Sequence, residues 1–166
     1  MTSHHGQRHT YNQSWAATAS HLRIHPSHHS AMRLVMHTLT YRAHFQELVR
    51  RVPAFMYCLV ADENVYALYG EMFVSKFKAT GKTLFVKVVP SGETTKHRQV
   101  KESIEDFMLE NKFNRDSCCI ALGGGVVGDL TGFVAATFMR GVPFVQVRNR
   151  LNDIHMDVQL DRCMKR

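Results

Sequence analysis

The stretch Cys119–Gly141, CIALGGGVVGDLTGFVAATFMRG, confines the chain to a strand, a tight turn and a helix in immediate succession. Residues Ser117 to Leu122 are apolar and bounded by turn formers, the pattern of a central parallel strand covered on both faces. Gly123, Gly125 and Gly128 then fit G-x-G-x-x-G. In that spacing glycine takes positive φ, admits a ligand to the backbone and lets the next helix pack closely on the strand. A phosphate would rest on the positive N-terminus of that helix. Taken alone the string is weak, since a glycine-rich turn can simply pack a helix. The acid that a dinucleotide fingerprint places about 20 residues on is missing, and that stretch holds Arg148.

The surrounding periodicities supply the fold class. Tyr41, Phe45, Leu48, Val49 and Val52 line one helical face, Phe55 to Ala61 reads as a strand, and Val65, Leu68, Tyr69, Met72 and Phe73 mark a second helix. Thr83 to Val89 is the next strand, and His97 to Glu110 a helix with Val100, Ile104, Phe107 and Met108 inward. Strands alternating with helices predict an α/β, Rossmann-like parallel layered sheet with ligands at the strand C-termini. Asp62 and Asn64 follow one strand, Glu93 and Lys96 the next, and Gly123 to Asp129 the third. Each has a plainer alternative. Asp62 or Asn64 can cap a helix, Glu93 and Lys96 can be solvated first-turn residues, Asp129 can favour a helix dipole, and Arg140 can complement a helix C-terminus.

Three separated motifs resemble the 3-dehydroquinate synthase family: GGGVVGD followed by GFVAATFMRG (Gly123–Asp129 and Gly132–Gly141), ADENV (Ala61–Val65) and VPSGETTK (Val89–Lys96). The linking IEDFML and RDS are most similar to the synthase portion of the fused multi-enzyme eukaryotic version, and the resemblance runs from about Tyr57 to Val147. It implies conversion of 3-deoxy-arabino-heptulosonate 7-phosphate into 3-dehydroquinate and phosphate, a phosphate-eliminating carbon–oxygen lyase step of the shikimate pathway to chorismate and the aromatic amino acids. NAD is recycled, and a divalent metal, zinc or cobalt, serves as Lewis acid. The resemblance further implies NAD contacts by Asp62, Asn64, Glu93, Lys96, Gly124, Gly125, Val126 and Asp129, a substrate contact by Arg140, and a homodimer. The family's metal ligands, one Glu and two His, belong to a helical C-terminal domain. After Val147 the family continues Pro-Thr-Thr or Pro-Thr-Ser, whereas this chain reads Arg148-Asn149-Arg150. That departure predicts an incomplete catalytic set, no bound metal and an inactive fragment. The alternatives are a non-catalytic nucleotide- or partner-binding module, or a piece of a related sugar-phosphate cyclase.

The chain divides into three segments: a His-rich extension over 1–40 expected to be disordered, a partial NAD-binding domain over 41–147, and a non-homologous tail over 148–166. Val147-Arg148 can be encoded by the opening of an intron, so the tail is expected to be intron-derived and disordered. His21, His25 and His29 have helical spacing for a metal face, but Pro26 interrupts it. The net charge of +7 divides into +5 over 1–58, zero over 59–147 and +2 over 148–166, which argues against a nucleic-acid-binding core. The four cysteines lack C-x-x-C or zinc-ribbon spacing, and no apolar run reaches membrane-spanning length. A cytoplasmic location with no membrane partner is expected. Residues 1–46 contain no acid, which keeps an organellar transit segment as the alternative.

Overall fold

Alternate residues of a single strand divide between two cores. Strand β3 (Met56–Asp62) sends Tyr57, Leu59 and Ala61 to one face and Met56, Cys58 and Val60 to the other, all of them buried. Strand β5 (Cys118–Leu122) repeats the division, and none of its five residues meets solvent. The computed structural model describes residues 23–26, 32–37, 42–92, 97–150 and 153–160, with side chains over 45–92 and 97–148.

The first face is covered by α1 (Arg42–Arg51) and α3 (Glu71–Lys78), whose Phe45, Phe73 and Phe77 join Tyr57 in an aromatic cluster. The Phe45–Phe73 and Tyr57–Phe77 centroids are each 5.0 Å apart and meet edge to face. The Tyr57 hydroxyl donates to Val52 O at 2.7 Å and accepts from Ala54 N at 3.1 Å, pinning the link from α1 into β3. The second face is covered by α4 (Arg98–Glu110), through Ile104 and Met108, and by α5 (Gly125–Thr137), through Val127, Leu130, Val134 and Ala135.

With β4 (Thr83–Val89) and β6 (Phe144–Arg150), strands β3 and β5 form a parallel sheet in the order β6-β5-β3-β4. This is the α/β, Rossmann-like arrangement that the alternating periodicities predict. Because the four strands are parallel, Asp62, Val89 and Leu122 end along one sheet edge, where Val147 of the longer β6 lies beside Leu122.

Beyond β6 the sheet continues with antiparallel neighbours, β7 (Asp153–Leu160), β2 (Met32–His37) and β1 (Arg23–Pro26). Disorder is expected over 1–40 from composition and over 148–166 from an intron origin, whereas the described segments 23–26, 32–37 and 153–160 are extended and paired. The physical reason is a period-2 pattern hidden among polar residues: Ile154, Met156, Val158 and Leu160 alternate on β7, as Met32, Leu34 and Met36 do on β2. His25 lies in β1, so it belongs to no helical three-histidine face, while His21 and His29 lie outside the described residues.

The second helix also departs from its predicted face. Between α2 (Glu63–Val65) and α3 runs a π-helical turn, Tyr66–Gly70. Its wider winding shifts the phase of α3 relative to a continuous α-helix. Leu68 (72% exposed) and Met72 therefore turn outward, while Phe73 and Phe77 turn in.

Burial pushes the Cys58 thiol up to about 12, and the Cys118 and Cys119 thiols are raised by the same desolvation. A disulfide-exchange reagent needs a thiolate and access to it. All three cysteines should stay unlabelled at pH 8 in the folded chain and become labelled in urea, as read by peptide mass spectrometry. Rapid native labelling of Cys58 or Cys119 would contradict the described packing.

Candidate functional site

Of the helices that follow the parallel strands, α4 and α5 have no side-chain cap, and α2 and α5, which adjoin Gly123, are finished differently. Asp62, the last residue of β3, caps α2: Oδ1 accepts from Val65 N at 2.9 Å. Gly124 precedes α5 and offers no side-chain cap, and no acid occupies the first turn of that helix. Gly128 N donates to Gly124 O at 3.1 Å, closing the first helical turn. The amides of Gly125, Val126 and Val127 are those that a helix start leaves unsatisfied. Among the described residues, a methyl at Gly124 or Gly125 would meet nothing within 4 Å, so no described side chain packs against the backbone there. The glycines thus fit an anionic group on the backbone, as a dinucleotide diphosphate requires.

Gly123 connects the two starts. Its φ of 151° lies where side-chain-bearing residues are rare. A methyl there would sit 3.3 Å from Val127 Cβ and 3.4 Å from Asp62 Oδ2. Its amide donates to Val147 O at 3.0 Å, holding the turn to the middle of β6. One oxygen of Asp62 is therefore committed to capping, while the other faces the glycine turn. The capping and binding alternatives for this residue are compatible, because they use different oxygens.

Of the remaining predicted residues, Asn64 is exposed in α2, Val126 is half-buried in the first turn of α5, and Asp129 is exposed one turn further on. Asp129 does not open its helix, which begins four residues earlier at Gly125. Glu93 and Lys96 lie outside the described residues.

Arg140 is not brought to this edge. Helix α5 ends at Thr137 rather than continuing to Arg140, and a 3-10 turn, Phe138–Arg140, comes next with φ of 48° at Met139 and 70° at Arg140. Cys119 N donates to Pro143 O at 2.9 Å, which fixes this turn beside the start of β5. The 13 residues of α5 rise about 20 Å, so Arg140 stands at the opposite edge of the sheet from Gly124 within one chain.

Sequence reasoning missed two features. Glu63 Oε1 accepts from Ser91 Oγ at 3.1 Å and from Ser91 N at 3.4 Å, tying the start of α2 to the loop leaving β4. Glu63 had no distinguishing signal beyond its place after the cap. Gln146 lies buried under α5; its signal was a lone amide in the apolar strand FVQV. A separate groove of about 560 Å³ runs between α4 and α5 over Leu130 and Phe133, rimmed by His97, Arg98, Lys101 and Glu105. Lys101 is already engaged, 2.5 Å from Glu105 and 5.2 Å from the Phe133 ring centroid. No glycine-turn residue lines this groove, and its charges are mixed, so the open amides of α5 define the better candidate site. Among the described residues, no three His, Cys, Asp or Glu side chains converge as metal ligands would. No described helix is long and apolar enough to cross a membrane.

Residues 86–154 match a family described as 3-dehydroquinate synthase N-terminal, a match that runs past Val147 into the tail. Among solved structures, a 2-deoxy-scyllo-inosose synthase aligns with a TM-score of 0.57 at 19% identity, covering 63% of this chain and 30% of that one. A 2-deoxy-scyllo-inosose synthase complexed with carbaglucose-6-phosphate, NAD+ and Co2+ aligns with a TM-score of 0.57 at 21% identity over the same shares of the two chains, 63% and 30%. A 2-epi-5-epi-valiolone synthase from Streptomyces hygroscopicus subsp. jinggangensis 5008, with NAD+ and Zn2+ bound, gives a TM-score of 0.53 at 26% identity, covering 60% of this chain and 28% of that one. The likenesses to the inosose synthases establish the fold. The chain spans about 30% of the length of these structures.

The two roles of Asp62 predict a split between its variants. Asp62→Ala should lower unfolding free energy by about 1 kcal/mol, because the α2 cap is lost. Asp62→Asn, which keeps a capping oxygen, should stay within a few tenths of a kcal/mol of the parent. Urea denaturation followed by circular dichroism measures both, and equal destabilisation by the two would contradict the cap.

Proposed function

We propose that this chain, whose residues 86–154 match the 3-dehydroquinate synthase N-terminal family, is the NAD-binding part of a 3-dehydroquinate synthase, catalytically silent by itself. One observation carries the reading: an uncapped helix N-terminus over open glycines, faced by a carboxylate oxygen of Asp62. The amides of Gly125 and Val126 would hold the diphosphate of NAD. Asp62 Oδ2 would accept a ribose hydroxyl, supplying from β3 the acid missing downstream of the turn. Asn64, Glu93, Lys96 and Asp129 are proposed as further contacts from the same edge, and Glu63 as the tie that holds the Ser91 loop toward it. NAD, when bound, supplies a reversible hydride acceptor for a ring hydroxyl of a phosphorylated sugar acid.

The described residues do not gather into a metal centre. Arg140, at the far edge of the sheet, does not join the diphosphate cradle of its own chain. The likenesses to inosose and valiolone synthases keep a related sugar-phosphate cyclase as the second reading. A cytoplasmic location is part of the proposal.

Titration calorimetry should show weak NAD binding by the chain, lost in Gly125→Val and weakened in Asp62→Asn without a matching loss of stability. Unchanged binding in Gly125→Val would remove the glycine turn from the site. With NAD and zinc added, the purified 166-residue chain should release no phosphate from 3-deoxy-arabino-heptulosonate 7-phosphate. Measured turnover would show that the catalytic set is complete after all.

A further inference from the structure

The last glycine of the turn faces protein rather than ligand. A methyl added to Gly128 would collide with the carboxamide of Gln146, oxygen and nitrogen alike. Gln146 is only 7% exposed, and its Nε2 has no hydrogen-bond partner among the described residues. Thr131, one turn further along α5, is fully buried with Oγ1 likewise unpartnered. A buried amide without a partner destabilises a fold relative to an apolar side chain of equal length, so stability alone does not account for glutamine here. What the carboxamide offers is shape. It is planar and thin, and against the bare Cα of Gly128 it lets the helix approach the sheet more closely than a chain of methylenes would.

Consecutive residues of β6 therefore hold the glycine turn at both ends. The Val147 carbonyl accepts from Gly123 N at 3.0 Å, and the Gln146 side chain seats Gly128. Between these two contacts lie Gly124, Gly125 and Val126. We infer that Gln146 is a positioning residue for the anion cradle: it sets the depth of the first turn of α5 and thereby the direction of the Gly125 and Val126 amides. Binding gains when such donors are held in place beforehand. The inference rests on the reading of the turn as an NAD site.

The test is NAD titration of the full chain as Gln146→Met, Gly128→Ala and the double variant Gly128→Ala/Gln146→Ser, with a thermal melt of each and Gly125→Val as reference. Gln146→Met keeps length but loses the flat amide. It should melt at or above the parent temperature yet bind NAD about 5-fold or more weakly, a combination that a merely structural role would not give. The double variant should recover at least about 5-fold over Gly128→Ala alone, because a smaller side chain makes room for the added methyl. Parent-like NAD binding by Gln146→Met, unfolding of Gln146→Met, or a folded double variant no better than Gly128→Ala would each overturn the inference. If the parent binds no NAD, or Gly125→Val binds as the parent does, the reading of the turn fails and the inference with it. Binding lost in Gly125→Val but intact in Gln146→Met removes the positioning role alone.

Discussion

Five consecutive buried residues, Cys118–Leu122, join the two halves of this domain. Cys118, Ile120 and Leu122 complete the core under α1 and α3, and Cys119 and Ala121 complete the one under α4 and α5. The strand is hydrogen-bonded on both sides, to β3 and to β6. A charge placed on it would lie in one apolar layer or the other with no route to water. The same strand delivers the chain to Gly123, so the placement of the glycine turn inherits the rigidity of the core.

From that fixed strand the functional contrast develops at the sheet edge. A helix start exposes amides whose partial positive charge must be satisfied by a side chain, by water or by a ligand. At α2 the Asp62 carboxylate meets the need from within the chain. At α5 no described side chain lies within 4 Å of a methyl position on Gly124 or Gly125, which suits an anion from outside. Asp62 takes part in both arrangements, since its second oxygen faces Gly123. The π-helical turn Tyr66–Gly70 adds to the organisation by rotating Phe73 and Phe77 onto the aromatic cluster around Tyr57.

The parallel sheet and the glycine turn were legible in the sequence because their signals are local: apolar strands of even length, helices with inward faces such as Ile104 and Met108, and glycines at fixed spacing. The antiparallel extension was not, because Ile154, Met156 and Val158 alternate with residues whose polarity suggests solvent, and β7 acquires meaning only beside β6 and β2. A 3.6-residue repeat does not contain the π turn; Leu68 within it and Met72 after it are exposed while Phe73 is buried. At the site, Asp62 and the glycines stood out by residue type. The part played by Gln146 depends on its contact with Gly128, 18 positions away, which no local pattern contains. Arg140 shows the converse, since it lies within a recognisable motif but α5 carries it to the far edge of the sheet.

The open amides at the start of α5, rather than the groove between α4 and α5, are proposed to receive a dinucleotide. A ¹⁵N–¹H correlation spectrum of the chain recorded through an NAD titration addresses this proposal residue by residue. The account predicts saturable shifts centred on Gly124, Gly125 and Val126, with smaller ones at Asp62 and Gly123. Shifts confined to His97–Lys101 and Phe133, with the glycine amides unmoved, would contradict it.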